Sequence, residues 1–360
     1  MADEVGAGPR LEPGGVVGPP WRYPMHGELR EFSLESRLLA GNFLGDPVRR
    51  PLYVYLPPQY ARDAERRFPT IYILQGMTGQ LDMWRNRTAF RRTPIELYDQ
   101  LFGDPEVAPA ILVFVDCWTS LGGSQFLDSA GTGRYHSYLC DEVVPAVDAA
   151  FRTRADREHR GVAGKSSGGY GAMVTPLLRP DLFSGLASHA GDALFEHCYM
   201  PDFAETVRVL RDHYQGSFAG FWADFRGRPG ISRATDSALI NAYCMAACYS
   251  ARPDGTPEMP FAEATGELRP EVWERWLALD PVRMVARLKD AARMLRAVYL
   301  DAGRADEFHL DVGAVAFSAQ LERLRVANVR LELFEGGHGG IEYRYPIGIR
   351  FLAEAFARAD

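Results

Sequence analysis

Lysine is almost missing from this chain of 360 residues: Lys165 and Lys289 are the only two, and arginine carries the remaining basic charge. Acidic residues outnumber basic ones, 47 to 40, for a net charge of −7, and no block of like charges stands out. This argues against a nucleic-acid or anionic-membrane partner. Nowhere do about 18 apolar residues run together, so a membrane-spanning helix is excluded as well. Cysteine is scarce: Cys117, Cys140, Cys198, Cys244 and Cys248 are odd in number and lack the paired spacing of a metal site. They read as reduced, mostly buried thiols of a cytoplasmic protein. Residues 1–22 have acids at Asp3 and Glu4, no apolar core and much glycine and proline. They read as a mobile tail and as neither a signal peptide nor an anchor. No internal repeat is visible.

What is present is a strand-helix alternation. Alternating patterns at 28–36 and 51–55 suggest an antiparallel entry to a sheet. The apolar runs 71–74, 111–115, 160–163, 185–188, 298–300 and 329–333 read as parallel strands, with helical patterns between most of them. The expectation is an α/β fold with a mostly parallel, doubly wound sheet, its core formed by 23–194 and 281–360. Residues 195–280 break the alternation and lean helical and aromatic, which predicts a helical cap insertion. Phe195, Tyr199, Phe203, Trp222, Tyr249 and Trp276 are among its aromatics, and they either line an apolar pocket or form the cap's own small core.

Chemistry is concentrated in Gly164-Lys165-Ser166-Ser167-Gly168-Gly169, a G-x-S-x-G between a strand-like and a helix-like stretch. On a sharp strand-to-helix turn a serine hydroxyl is lifted clear of the sheet, and flanking glycines let the backbone turn without a Cβ clash. The pattern alone is short enough to arise by chance, so its context carries the weight: Tyr170, Met173, Val174 and Leu177 follow at helical spacing until Pro180. Gly164-Lys165-Ser166 also ends like a phosphate-binding loop, but that motif needs glycine at 159, where this chain has His. Ser166 is the candidate nucleophile.

Such a serine needs a base, and the base needs an acid to orient it, in the chain order Ser, Asp/Glu, His. His338 lies among four glycines at 336–340, just past a strand-like run, on a turn from which its ring can reach a neighbouring loop. His309 is its rival, three residues after Asp306, but it would force acid and base onto one loop. Asp306 ranks first as the acid, ahead of Asp301, which reads as a strand end, and of Glu307, which points away if Asp306 points inward. For an oxyanion hole, one N–H comes from the residue after the nucleophile, Ser167, and the other from the turn after an early strand, assigned to Met77. Gly76, Trp118 and Gln125 are candidate substrate contacts. The polar cluster 116–125 either shapes the substrate site through Trp118 or Gln125 or is a turn with an aspartate cap. His189 and Asp192 sit suggestively after their strand.

The segments VYLPPQY (54–60), IYILQGMTG (71–79), AGKSSGGYGAM (163–173), YLDAGRADEF (299–308) and GGHGG (336–340) resemble the esterase D-like family of the α/β-hydrolase superfamily. That family takes in S-formylglutathione hydrolases, feruloyl and enterochelin esterases and mycolyltransferases. The resemblance covers most of the chain from about residue 55 onward. It implies a serine esterase whose nucleophile, acid and base fall on Ser166, Asp306 and His338, with oxyanion amides on Met77 and Ser167. Many members carry histidine where this chain has Gln75, and Met or another hydrophobic residue where it has Ser167. The implied reaction is cleavage of a small-molecule carboxylic or thio ester through an acyl-enzyme, with no metal or organic cofactor. Alternatives are an acyltransferase using the same three residues and a non-catalytic ligand-binding protein on the same scaffold.

Overall fold

Central parallel strands are covered on both faces, so their sequences run apolar without alternation, and the computed structural model, which describes residues 23–358, shows this for the inner strands but not for the last strand, 329–334, which lies at an edge and alternates. Ten strands are present in chain order: β1 Glu28–Glu35, β2 Arg49–Leu56, β3 Thr70–Leu74, β4 Ile111–Val115, β5 Asp128–Ser129, β6 Gly133–Arg134, β7 Arg160–Lys165, β8 Gly185–His189, β9 Ala297–Gly303 and β10 Val329–Phe334. Eight of them form one sheet in the order β1-β2-β4-β3-β7-β8-β9-β10, and β5 and β6 make a small separate ribbon. Within the large sheet the pairs β1–β2 and β2–β4 are antiparallel and every other pair is parallel, and the β5–β6 ribbon is antiparallel. The antiparallel entry and the six parallel strands expected from the sequence are thus all present. Strands β3, β4, β8 and β9 are buried along their whole length, whereas β1 at one edge is largely exposed.

Helices Ser167–Leu178, Pro281–Arg287 and Leu310–Arg323 pack on one another, as do Pro94–Gly103 and Tyr345–Ala357. Helix Tyr345–Ala357 fits closely because β7 and β8 present glycine to it: a Cβ on Gly161 or Gly185 would lie 2.8 or 2.7 Å from the Phe356 ring. Parallel register carries Leu74, Gly164, Ser188 and Leu300 across four neighbouring strands, so β3, β7, β8 and β9 all end at one edge of the sheet. Side chains just past those ends meet there.

Between β8 and β9 the chain forms seven helices, of which five, Phe195–Cys198, Pro201–Tyr214, Phe218–Arg226, Asp236–Tyr249 and Pro270–Leu277, fall within 195–280. Their aromatics pack chiefly on each other. Phe195 meets Tyr199 with ring centroids 4.7 Å apart, Phe203 meets Phe261 at 4.7 Å, and Trp273 meets Trp276 at 5.8 Å. Residues 1–22, expected to be a tail, lie outside the described residues.

Candidate active site

Strand β7 ends at Lys165 and the next helix starts at Ser167, leaving Ser166 alone to make the turn. It does so with φ 59° and ψ −125°, a conformation that a residue with a Cβ adopts only under strain. Two backbone bonds hold it there: the Ser166 N–H donates to the His189 carbonyl at 3.0 Å, and the Ser166 carbonyl accepts from the Tyr170 N–H at 2.8 Å. The flanking glycines are required by close backbone approach. A Cβ on Gly164 would lie 2.4 Å from Gly168 backbone atoms, and one on Gly168 would lie 2.2 Å from the Leu74 carbonyl oxygen.

The loops after β9 and β10 bring Asp306 and His338 together. Asp306 is 4% exposed; its Oδ1 accepts from the Phe308 N–H at 2.9 Å and its Oδ2 lies 2.9 Å from His338 Nδ1. A carboxylate at Nδ1 fixes the tautomer that leaves Nε2 free to take a proton. The Glu307 side chain reaches the backbone of the same loop, its Oε2 accepting from the His338 N–H at 2.7 Å. The Phe308 ring stands edge-on to the imidazole with centroids 4.9 Å apart.

A cavity of about 520 Å³ opens at this edge, lined by Gly76, Met77, Ser166, Ser167 and His338 among others. The 75–79 loop passes so close to the serine that a Cβ on Gly76 would lie 3.5 Å from Ser166 Cβ. Neither the Met77 N–H nor the Ser167 N–H is given to an acceptor among the described residues. Gln75 is buried below them; with its amide turned to satisfy both ends, it donates to the Val115 carbonyl at 2.7 Å and accepts from the Cys117 and Trp118 N–H groups at 2.9 Å each. It thereby ties the loop after β3 to the loop after β4.

Other sequence candidates fall elsewhere. Trp118 does not line the cavity: its N–H donates to Asp116 Oδ1 at 3.0 Å and its carbonyl accepts from Arg50, so this cluster is the aspartate-capped turn. Gln125, 1% exposed, does not line it either: its Nε2 is directed inside the protein at Asp192, Tyr199 and Tyr249, and its Oε1 is buried. Asp301 is not a strand end but lies within β9, 2.8 Å from His189 Nδ1 and 2.9 Å from Arg344 Nε. Burial alone would raise its carboxyl, but His189 and Arg344 outweigh that and hold it below the ordinary aspartate range. His309 is exposed and precedes helix Leu310–Arg323 in a left-handed conformation. Of the aromatics at 195–280 singled out in the sequence, Tyr199 alone reaches the cavity, whose other rings are Trp84, Phe308 and Tyr345.

Lys165, Asp192, Asp202 and Glu342 are charged groups in the cavity wall with no assignment from sequence, and the first two lie next to the motif serine and past β8. Lys165, next to the serine, is pushed below the ordinary lysine range by burial, against the pull of Asp306 and Glu342. Asp192 is pushed above the ordinary aspartate range by burial, against the hydrogen bonds of Tyr199 and Gln125. Position alone gave a signal for Lys165 and Asp192. Among the described residues no group of three His, Cys, Asp or Glu is placed to hold a metal ion.

The strand order, the crossing helices and a serine on the turn after β7 define an α/β-hydrolase fold. The chain belongs to the esterase family, whose model, described as "Putative esterase", matches residues 47–344. It is 26% identical over 192 residues to an endo-1,4-beta-xylanase/feruloyl esterase of Xylanibacter ruminicola, covering 51% of this chain and 24% of that protein. It is 30% identical over 144 residues to an esterase of Mycobacterium tuberculosis, covering 39% of this chain and 28% of the relative. The chain thus spans about a quarter of the length of these two relatives. Solved structures of a ferulic acid esterase (TM-score 0.56, 19% identity, 92% of this chain and 100% of that one) and of an S-formylglutathione hydrolase from Agrobacterium tumefaciens (TM-score 0.54, 16% identity, 93% and 98%) share the fold.

Proposed function

We propose that the protein is a serine hydrolase that cleaves a small-molecule carboxylic or thio ester. His338 Nε2 takes the proton of Ser166 Oγ as the oxygen attacks the ester carbonyl, and Asp306 stabilises the imidazolium that forms. The N–H groups of Met77 and Ser167 receive the oxyanion. Collapse expels the alcohol or thiol with the proton from His338, leaving an acyl-Ser166 ester that water, activated by the same histidine, hydrolyses. One observation carries this reading: a strained serine shares a cavity with a histidine whose Nδ1 lies 2.9 Å from a buried carboxylate. Family membership supports it. In this reading 23–194 and 281–360 are the catalytic core and 195–280 is a cap supplying one wall of the cavity. All five cysteines are buried and unpaired, which supports a reducing compartment. Among the described residues no helix is long and apolar enough to cross a membrane.

The test is hydrolysis of p-nitrophenyl esters of increasing chain length by the wild type and by Ser166→Ala. The wild type should turn them over, and the variant should lose roughly 10³-fold or more in kcat. Full activity in Ser166→Ala removes the serine from the mechanism. Absence of turnover in both proteins transfers the site to acyl transfer or to binding alone.

A further inference from the structure

The cavity holds a carboxylate that serine chemistry does not use. Asp192 lies three residues past β8, is 6% exposed and lines the cavity with Ser167. Every hydrogen bond to its side chain ends on Oδ2: from the Tyr199 hydroxyl at 2.8 Å, from Gln125 Nε2 at 3.1 Å and from Ser167 Oγ at 3.4 Å. These donors are themselves fixed, since Gln125 Nε2 also reaches the Tyr249 hydroxyl at 2.8 Å and the two tyrosine hydroxyls lie 3.1 Å apart. Among the described residues nothing donates to Oδ1. Oδ1 is not sealed from solvent in the free protein, but an acceptor that a bound ligand seals off without a partner is costly. Here one oxygen is held by three side chains while the other is left for whatever fills the cavity.

We propose that Asp192 is a specificity-determining residue, its Oδ1 accepting a hydrogen bond from a hydroxyl or ammonium group on the acyl part of the substrate. The inference rests on the serine-hydrolase reading, which decides which part of the ligand is acyl. Ser167 gives its N–H to the oxyanion in that reading and its Oγ to Asp192, so the donor sits only a few bonds from the scissile carbonyl. Asp202 and Glu342 share the cavity wall with Asp192, against the single ammonium of Lys165, and this charge balance admits a cationic donor as well as a neutral one. A purely hydrocarbon acyl group would leave Oδ1 unpaired in the closed complex, and a site built around a polar partner rejects the analogue that lacks it.

The experiment compares kcat/KM for p-nitrophenyl butanoate, 3-hydroxybutanoate and 3-aminobutanoate. At least one donor-bearing ester should exceed butanoate by roughly tenfold or more, and the two arms identify the donor. In Asp192→Asn the amide oxygen stays with Tyr199 and Gln125, so the NH₂ turns to the cavity and the preference should vanish or reverse. Tyr249→Phe disturbs the same network without touching Oδ1, and the preference should survive. Equal kcat/KM for the three esters in the wild type overturns the proposal, as does a preference that persists in Asp192→Asn. If Asp192→Asn does not fold, the wild-type comparison decides alone. If the wild type cleaves none of these esters, the hydrolase reading fails. Calorimetric titration of Ser166→Ala with the methyl esters of the same three acids then decides the donor question, and equal affinities overturn it.

Discussion

Asp306 divides its carboxylate between two jobs, one oxygen receiving the Phe308 N–H and the other facing His338 Nδ1. Asp306→Asn keeps the shape and, with its oxygen on the Phe308 N–H, presents its NH₂ to His338 Nδ1, which favours the tautomer with its proton on Nε2, the wrong nitrogen. The expected outcome is a fall in kcat of roughly 10³- to 10⁴-fold with the circular dichroism and melting temperature nearly unchanged; a loss below tenfold would show that another group orients His338. The sequence marks Ser166 and His338 as candidates because their glycine neighbours mark turns, and the structure puts both in the wall of one cavity. Asp306 was harder to separate from Asp301, since the two differ by where β9 stops, and Ala302 and Gly303 have no strand propensity of their own. The pairing of Phe334 with Gly303 extends β9 past Asp301, and that pairing is a tertiary fact. The position of Trp118 and Gln125 after β4 points to substrate contact, but the partners that claim them, Asp116 and Arg50 for one and Asp192, Tyr199 and Tyr249 for the other, come from tertiary structure.

At the scale of elements, the strand-turn-helix around Ser166 depends on backbone passing backbone. A methyl on Gly168 would meet the Leu74 carbonyl oxygen at 2.2 Å and the Gln75 carbonyl oxygen at 2.8 Å, and neither is the movable end of a side chain. Gly168→Ala should therefore cost about 1–3 kcal/mol in urea unfolding and shift the turn that holds Ser166, so that activity falls further than stability. A folded, fully active Gly168→Ala would show that the turn has slack the structure does not reveal. Helix Asp236–Tyr249 offers a pH-dependent test. Asp236 accepts from the Arg228 guanidinium at 2.8 Å and from the N–H groups of Ser232 and Arg233 at 3.0 and 2.9 Å. The Arg228 contact, followed by these backbone bonds and against the effect of burial, lowers its pKa to about 2. A carboxyl with a depressed folded-state pKa stabilises the fold above its unfolded value of about 3.9 and loses that contribution as pH falls towards 2. Asp236→Asn should lower stability by about 1 kcal/mol at pH 7, and the gap from wild type should close between about pH 4 and pH 2. A gap that stays constant across that window would mean the charge is not what matters. Element boundaries were legible to within a few residues, because apolar runs mark the buried length of a strand while its ends are set by the neighbouring strand.

Across the whole molecule, the turns after the strands carry the candidate reacting groups, and the helices between β8 and β9 supply one wall of the cavity. The aromatic richness of 195–280 signalled a packed insertion but could not say which way its rings face; most turn inward on each other, and the wall is made instead by smaller residues of helix Asp236–Tyr249, namely Ser237, Ala238, Ile240 and Asn241. If 195–280 acts as a cap over an acyl pocket, the size of those residues sets how long an acyl group the cavity of about 520 Å³ accepts. Ala238 is only half-buried, so a larger side chain there can project into the cavity without overpacking the helix's own core. Ala238→Trp should lower kcat/KM for p-nitrophenyl octanoate by roughly tenfold or more while changing that for the acetate by no more than about threefold, with little change in melting temperature. An equal fall for both esters would trace the loss to displacement of Ser166 or His338, and no change for either would separate this wall from the acyl pocket. Acetate is the informative control because it needs only the groups at the sheet edge, and octanoate needs the helical wall as well; the ratio of the two therefore measures the cap's contribution independently of how well the serine reacts.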